Sequence, residues 1–334
     1  MSFTREDFRF TPENIRYCLL AWDPYEAAET NEFGQEPLPI SGLFNWAKAL
    51  NGKREMPRSR EEFDAFNIIH VNVTARNLFL IPQLLTKIDK SKTRILANVD
   101  FSVELWNQNF HYPDSFIEYL DKCDYIFAVE PEMASVLSRI LCRPVPYIPH
   151  PSDIEGIKTH HSEQRLQQIG VAAHRYDPNL VLPHLMLRDL PPGWQTVLSG
   201  MIGDVSPYYH LFTFAKPYSK FEEYIKFISQ LYAVLETHTF HTYGRHVVEC
   251  AALGVPVVGP SRIAAMKTCF PNTTADTFEE QHKFLNALIE YPDFYVAVAK
   301  YGMEHSELYS LRSSAKRMLS FLNGTLEQKE GVLC

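Results

Sequence analysis

The chain has 334 residues, a length that suggests about two domains. A hydrophobic content of 46%, with 22 phenylalanines and 17 tyrosines, is enough for two cores and excludes a disordered chain. The net charge of −8, without any block of lysines and arginines, argues against nucleic acid as a partner.

The sequence lacks the marks of a membrane or secreted protein. It has no run of about 18 uncharged apolar residues, and its charged start, MSFTREDFRF, has no apolar core. We therefore expect a cytoplasmic protein without a transmembrane segment. The cysteines are scattered singly, without metal-ligand spacing, which favours reduced, mostly buried thiols over disulfides and predicts no metal site. They are Cys18, Cys123, Cys142, Cys250, Cys269 and Cys334.

The first half of the chain alternates short apolar runs with amphipathic ones. The apolar runs predict strands at residues 15–22, 66–71, 94–99, 124–129 and 144–148. The amphipathic runs predict helices at residues 43–51, 78–88, 116–120 and 131–141. This alternation is typical of a doubly wound α/β domain, and the proline-rich segment 149–153 would end it as a hinge.

Two residues of this half are candidates for a site. Gly42 forms a small-residue turn ahead of a helix, which could admit a substrate or phosphate or could be only a tight turn. Asp100 follows the predicted strand 94–99, and a carboxylate at the carboxyl end of a parallel strand is a catalytic candidate. A cap for the following SVELW segment explains Asp100 equally well.

The second half repeats the rhythm less regularly. Strands are predicted at residues 165–173, 194–198, 232–235 and 255–259. Helices are predicted at residues 179–187, 220–229, 245–253, 277–288, 294–308 and 311–322. A loop at 199–205 would carry Gly200. We place the first domain at 1–150 and the second at 151–310, and the C-terminal helix, about 311–334, is a candidate to pack back on the first.

Motifs of several enzyme classes are missing. No GxGxxG follows the first strand, which argues against a dinucleotide-dependent redox enzyme. The spacings of a P-loop, of HExxH and of GxSxG are also absent from the sequence.

The stretch 232–260 combines a strand, a polar loop, a helix, a tight turn and a second strand. Gly244 precedes the helix, whose first amides and dipole would make an anion site, and Arg245 or Arg175 could add hydrogen bonds to a diphosphate. Glu249 lies one helical turn after Arg245, where a carboxylate suits the vicinal hydroxyls of a ribose. The alternative is an ordinary ion pair between Arg245 and Glu249.

The segment GRHVVECAALGVPVVG, from Gly244 to Gly259, resembles the donor-binding segment of GT-B-fold glycosyltransferases. The family meant is the large retaining one that includes glycogen and sucrose synthases, with the pattern E-G-F-G, four residues, then E-A-x-A-x-G-x-P-V-V. In this chain the first part of that pattern reads His241, Thr242, Tyr243 and Gly244, and the second part begins at Glu249. More weakly, YIFAVEPEMASVLSRIL and PVPYIPHPSD resemble the family's segment before the interdomain linker.

The resemblance implies two Rossmann-like domains facing across a cleft, and it assigns roles to single residues. Glu249 would bind the ribose, and His241 stands where the family has a glutamate near the transferred sugar. Arg175 matches the arginine that holds the diphosphate, but the lysine that should follow it is missing. The remaining donor-side candidates are Thr242, Tyr243, Gly244, Arg245 and Gly200. On the acceptor side, Gly42 stands in place of the family's glycine pair, and the family's N-domain histidine aligns loosely near Asp100.

The sequence therefore predicts a glycosyltransferase that moves a sugar from a UDP- or GDP-sugar to an unknown acceptor. By the resemblance, the reaction retains the anomeric configuration and needs no metal or other cofactor. His241, Asp100 and Arg175 are the predicted catalytic residues. One alternative is a nucleotide-sugar 2-epimerase, which shares the fold. Another is a degenerate sugar-nucleotide-binding or scaffold protein, motivated by His241 and the missing lysine.

Overall fold

A computed structural model of the chain describes residues 9–20, 42–73, 78, 80–106, 113–172, 180–201, 210–217 and 221–326. The chain divides into two compact units. Among the described residues, the first unit holds those up to Pro151 and those from Tyr309 onward, and the second holds Ser152–Leu308. Each unit is built on one five-stranded sheet.

The sheet of the first unit has the order β2-β1-β3-β4-β5, and all its pairs are parallel. Its strands are β1 Tyr17–Leu20, β2 Lys53–Glu55, β3 Ile68–Val73, β4 Arg94–Val99 and β5 Tyr125–Ala128. Every residue of β3 is buried, as expected for a central parallel strand that is covered on both faces.

Helices cover this sheet in the alternation that the sequence predicts. They are α1 Asn45–Ala49, α2 Arg60–Asp64, α3 Leu80–Lys87, α4 Pro113–Asp121 and α5 Pro131–Ile140. The start of α5 follows from local sequence. Glu130 accepts hydrogen bonds from the amides of Glu132 and Met133, each at 2.6 Å, and Pro131 occupies the first helical position.

The sheet of the second unit has the order β10-β9-β6-β7-β8 and is also parallel throughout. Its strands are β6 Gln168–Ala172, β7 Gln195–Met201, β8 Phe214–Pro217, β9 Ala233–Leu235 and β10 Val257–Val258. Its helices are α6 Ile154–Lys158, α7 Val181–Met186, α8 Phe221–Ile228, α9 Arg245–Ala252, α10 Ala264–Cys269, α11 Phe278–Glu290 and α12 Pro292–Ser306. The two units are therefore Rossmann-like α/β domains, as predicted.

The last described helix, α13 Leu311–Leu322, belongs to the first unit and packs against α1. Met318, on this helix, is fully buried. The ring of Phe321 lies 5.7 Å from that of Tyr125 on β5. After the helix, the Asn323 side chain exchanges two hydrogen bonds of 2.8 Å with the backbone of Phe10.

Three differences from the predicted elements have physical reasons. The predicted strand at 144–148 is wrong: only Tyr147 bridges to Ala128, because prolines at 144 and 146 cannot donate to a ladder. The predicted loop at 199–205 is wrong at its start, because β7 continues to Met201 and includes Gly200. The elements β2, β8, α2, α6 and α10 are too short to show a period in the sequence.

The prediction of reduced thiols is confirmed for the five described cysteines, which are all free. Four of them are buried, and only Cys142 is exposed. Burial raises the pKa of Cys18 and that of Cys123 to about 12 each, so both stay protonated at neutral pH. Across the described ranges, none of the helices is both long and apolar enough to cross a membrane.

The packing of α13 predicts a large effect of a core truncation. The Met318→Ala substitution should lower the free energy of unfolding by about 3 kcal/mol, because it leaves a cavity where the fully buried side chain was. The exposed Lys316, on the same helix, provides the control, and Lys316→Ala should change stability by less than about 0.5 kcal/mol. Urea unfolding curves measure both. Equal stability of the two variants would contradict the assigned packing.

Candidate functional site

The loop from Glu236 to Gly244, called here the 236–244 loop, joins the carboxyl end of β9 to the start of α9. The segment after β10 holds it. The Thr242 amide donates to the carbonyl of Arg262 at 3.2 Å, and the Thr242 carbonyl accepts from the Ala264 amide at 2.9 Å. The Tyr243 carbonyl accepts from Ala265 at 3.0 Å. The loop thus lies at the edge of a parallel sheet where such folds bind ligands.

Gly244 occupies a backbone position that only glycine fits well. Its φ is 84°, in the left-handed region, and a Cβ there would lie 2.3 Å from Cγ2 of Ile263. The tight contact is therefore with the segment after β10. Arg245 follows as the first residue of α9, and no side chain caps the helix. The first amides of α9 and its dipole make this end attractive to an anion.

Arg245 and Glu249 form the ion pair that the sequence offered as an alternative. Arg245 Nε donates to Glu249 Oε1 at 2.8 Å, with 25% of the arginine side chain and 4% of the glutamate side chain exposed. Burial opposes the charge of Arg245, but the carboxylate of Glu249 outweighs it and raises the pKa of Arg245 above its ordinary value. The predicted contact of Glu249 with a ribose stays a prediction.

A buried carboxylate joins the two ends of the 236–244 loop. Glu236 is 1% exposed, and its Oε1 accepts from His246 Nδ1 at 2.8 Å. Its Oε2 lies 3.3 Å from Nδ1 of His238 near the start of the loop. Glu236 therefore ties the start of the loop to the first turn of α9.

The environment of His246 favours its charged form. Burial opposes the charge, but Cys250, with its Sγ 3.6 Å from Nε2, and the Glu236 carboxylate raise the pKa of His246 well above its ordinary value. Burial in turn raises the pKa of Cys250, and His246 opposes that rise. The first turn of α9 thus carries two cations, Arg245 and His246, each paired with a buried carboxylate.

The other predicted donor-side residues are placed as follows. His241, Thr242 and Tyr243 are half-buried in the 236–244 loop. Gly200 lies near the carboxyl end of β7, and β6 separates that strand from β9. Arg175 lies outside the described residues.

In the first unit, Asp100 directly follows β4, and its Oδ2 accepts from His150 Nε2 at 2.9 Å. The helix-cap explanation of Asp100 is wrong, because the 3₁₀ turn Val103–Leu105 begins after Ser102. Gly42 is buried in the turn ahead of α1. The structure thus gives Asp100 a histidine partner in place of a helix amide.

Sequence reasoning missed Glu236 and His150. Glu236 directly follows an apolar strand, as Asp100 does, so the rule that selected Asp100 would also have found it. His150 lies in the proline-rich segment and was assigned to a hinge. His150 and Asp100 are 50 positions apart, and no local sequence pattern indicates that they pair.

Comparisons with known proteins identify the fold of the chain. No protein-family model and no curated protein sequence matches the chain. Among solved structures, Anabaena HepE in complex with UDP has a TM-score of 0.67 at 12% identity, over 93% of this chain and 100% of that one. Sucrose-phosphate synthase from Thermosynechococcus elongatus has a TM-score of 0.64 at 12% identity, over 91% and 97%. The chain has the GT-B fold.

A third GT-B structure is also similar to this chain. An alpha-glucosyltransferase in complex with UDP-glucose and DNA containing an abasic site has a TM-score of 0.62 at 11% identity, over 89% of this chain and 96% of that one. Identities this low establish the GT-B fold of the chain and leave its chemistry to be argued from its own residues.

The close approach of Gly244 to Ile263 predicts that substitutions at the two positions have non-additive effects on the free energy of unfolding. Gly244→Ala should lower the free energy of unfolding by about 3 kcal/mol, through left-handed strain and overpacking. In a background with Ile263→Ala the same change should cost about 1 kcal/mol less, because Cγ2 is gone. Thermal unfolding of the four proteins in the cycle measures this coupling. Strict additivity would show that Ile263 does not constrain Gly244.

The pairing of buried Glu236 with His246 predicts that the free energy of unfolding depends on pH. The folded-state pKa of His246 is raised, so its stabilising charge pairing is fully present below the unfolded pKa of about 6.5 and is lost as pH rises through the folded value. Glu236→Gln should therefore be less stable than wild type by roughly 3 kcal/mol near pH 6, and the gap should narrow at alkaline pH.

The measurement is urea unfolding across pH for wild type, Glu236→Gln and a control. Glu223, exposed in the first turn of α8, is the matched position, and Glu223→Gln should follow wild type within about 0.5 kcal/mol at each pH. A stability gap for Glu236→Gln that does not change with pH would argue against a charged His246.

Proposed function

We propose that the chain is a glycosyltransferase whose nucleotide-sugar donor binds the second unit at the 236–244 loop and the start of α9. The observation that carries the proposal is the uncapped start of α9 beside two cations, Arg245 and His246, one turn before the buried Glu249. An anion-binding helix end followed by a carboxylate suits a diphosphate joined to a ribose. The GT-B fold supports this assignment, since similar structures hold UDP or UDP-glucose.

The proposed catalysis depends on the negative charge that develops on the leaving group. Transfer leaves a nucleoside diphosphate with growing negative charge, and groups already oriented toward that charge lower the barrier. Arg245, the first amides of α9 and Arg175 are the proposed stabilising groups. In this proposal Glu249 accepts hydrogen bonds from the ribose, and Thr242, Tyr243 and Gly244 line the donor.

His241 is the proposed neighbour of the transferred sugar, and Asp100 with Gly42 belongs to the acceptor side. An imidazole can hydrogen-bond a sugar hydroxyl, and when neutral it adds no charge beside the anomeric carbon. Retention of configuration, a reaction without metal, a UDP- or GDP-sugar donor and a cytoplasmic location complete the proposal. They derive from the family resemblance and the sequence pattern.

The proposed role of Glu249 can be tested with ligands that differ in the ribose or its hydroxyls. UDP should bind Glu249→Gln about 10- to 100-fold more weakly than wild type, because a charge-assisted hydrogen bond to the ribose is lost. For 2′-deoxy-UDP the loss should be smaller, and inorganic pyrophosphate, which has no ribose, should bind the variant no more weakly than wild type, because Arg245 no longer has to leave a carboxylate. Isothermal titration calorimetry measures each affinity.

Exposed Glu279, in the first turn of α11, gives the control, and Glu279→Gln should bind UDP as wild type does. If Glu249→Gln weakened the binding of UDP and of pyrophosphate equally, Glu249 would stabilise the site as a whole. It would then have no specific role in binding the ribose. A wild-type protein that binds neither UDP, GDP nor their sugars would refute the proposed function.

A further inference from the structure

The outer edge of β5 is covered by protein only at its carboxyl end. β5 is the last strand of the first sheet, and among the described residues beyond it only Tyr147 forms a bridge, to Ala128. There the Ala128 amide donates to the carbonyl of Pro146 at 3.0 Å, and the Ala128 carbonyl accepts from the amide of Ile148 at 2.8 Å. Both backbone groups of Ala128 therefore point away from β4.

Ile126 lies two residues before Ala128, so its amide and carbonyl point to the same outer side. Continued pairing would place Ile126 opposite Val145, with the Pro144 carbonyl as its acceptor and the nitrogen of Pro146 as its donor. Proline has no N–H, so this pairing fails. Within the described part of the chain, neither of these two groups of Ile126 has a hydrogen-bond partner, although only 4% of the residue is exposed.

A cavity of about 1110 Å³ opens where this pairing fails, and it is called here the β5 groove. It is lined by β5 with Ile126, by α5, by residues 143–147 and by the end of α13 with Phe321 and Leu326. All of these belong to the first unit. A buried donor and acceptor without partners at a strand edge match the backbone of an extended peptide, which adds to such an edge as a further strand.

Two arginines line the β5 groove near the amino end of β5. Nη2 of Arg143 donates to the carbonyls of Asp121 and Cys123, just before the strand, at 3.3 and 3.2 Å. Nε of the same arginine is buried and has no partner in the described ranges. Arg139, exposed in the last turn of α5, forms no ion pair with any described residue. This end of the groove therefore offers positive charge to a ligand.

The carboxylates near this end are engaged within the protein. Asp121 Oδ1 lies 3.4 Å from Nη2 of Arg143, and Asp124 Oδ2 accepts from the Ile95 amide at 2.8 Å. Glu132 also lines the groove, but it lies in the first turn of α5, roughly 10 Å along the helix axis from the last turn. The charge that remains available near the start of β5 is thus positive, in a chain with a net charge of −8.

We propose that the β5 groove binds an extended, acidic peptide segment of a partner protein. The peptide backbone accepts from the Ile126 amide and donates to the Ile126 carbonyl, which completes the interrupted edge of the sheet. Its carboxylates pair with Arg139 and Arg143. This interaction goes beyond the proposed transferase function and needs neither nucleotide nor sugar.

The test uses three synthetic peptides. The first, acetyl-Glu-Val-Glu-Val-Glu-amide, reads the same in both directions, so that either strand direction is served. It should bind wild type, and ¹⁵N NMR should show the Ile126 amide shifted and protected from exchange. The basic peptide acetyl-Lys-Val-Lys-Val-Lys-amide should bind about tenfold or more weakly, because its charge is reversed. The acidic peptide N-methylated on its three central residues should lose a similar factor, because its backbone donors are gone.

Two substitutions locate the binding on the protein. Arg139→Gln should weaken the acidic peptide about fivefold, whereas Arg58→Gln, at an exposed arginine outside the groove, should bind it as wild type does. Pro146→Ala supplies the missing N–H, so residues 143–147 can pair with Ile126 themselves. This variant should bind the acidic peptide about tenfold more weakly, although no charge has changed.

Each of the other outcomes counts against the inference. It is refuted if the acidic peptide does not bind, or if the Ile126 amide is already protected from exchange in the protein alone. Equal affinities for the acidic and the N-methylated peptide, or an unchanged affinity of Pro146→Ala, would show that no strand is added. Equal affinities for the acidic and the basic peptide would refute the role of the arginines.

Discussion

A carboxylate at the carboxyl end of a buried parallel strand is the constraint on which both candidate sites depend. Asp100 follows β4 in one unit, and Glu236 follows β9 in the other. Burial removes Glu236 from water almost completely and Asp100 in part, which costs free energy unless hydrogen bonds and charge compensate for it. In both units an imidazole supplies this compensation, and the surrounding backbone is arranged to bring that imidazole within reach.

The two carboxylates differ in their exposure and in the contacts of their histidines. Glu236 is enclosed and faces a histidine whose charged form is favoured, so its charge is largely used within the protein. Asp100 is bonded to Nε2 of His150, whose Nδ1 accepts from the indole of Trp46, and the Asp100 side chain is 34% exposed. The first arrangement stabilises a loop, and the second leaves a carboxylate partly open to solvent.

The sequence predicted what local patterns determine. Long apolar runs located β3 and β4, and the spacing of Gly244, Glu249 and Gly254 located α9 within its strand–loop–helix unit. Because such parallel strands are buried on both faces, their apolar residues form continuous runs that are easy to recognise in a sequence. The family resemblance, carried by the same residues, predicted the fold of both units.

What the sequence could not show depends on contacts between distant residues. Glu236 is buried because His246, ten positions later, turns back toward it, and Asp100 meets His150 only after α5 and the segment behind it have folded. Short elements such as β2 and α6 form because neighbouring strands and helices complete them. Their own sequences are too short to favour one structure.

The ion pair between Arg245 and Glu249 links the protein without ligand to the proposed donor complex. Glu249 is almost fully buried, so leaving it unpaired would be strongly unfavourable. In the proposed donor complex, a diphosphate at the start of α9 would compete for Arg245, and the ribose would offer hydroxyls to Glu249. Each exchange compensates the other, so the diphosphate and the ribose should bind as a unit. The same pair that stabilises the start of α9 would therefore favour a whole nucleotide over either of its parts.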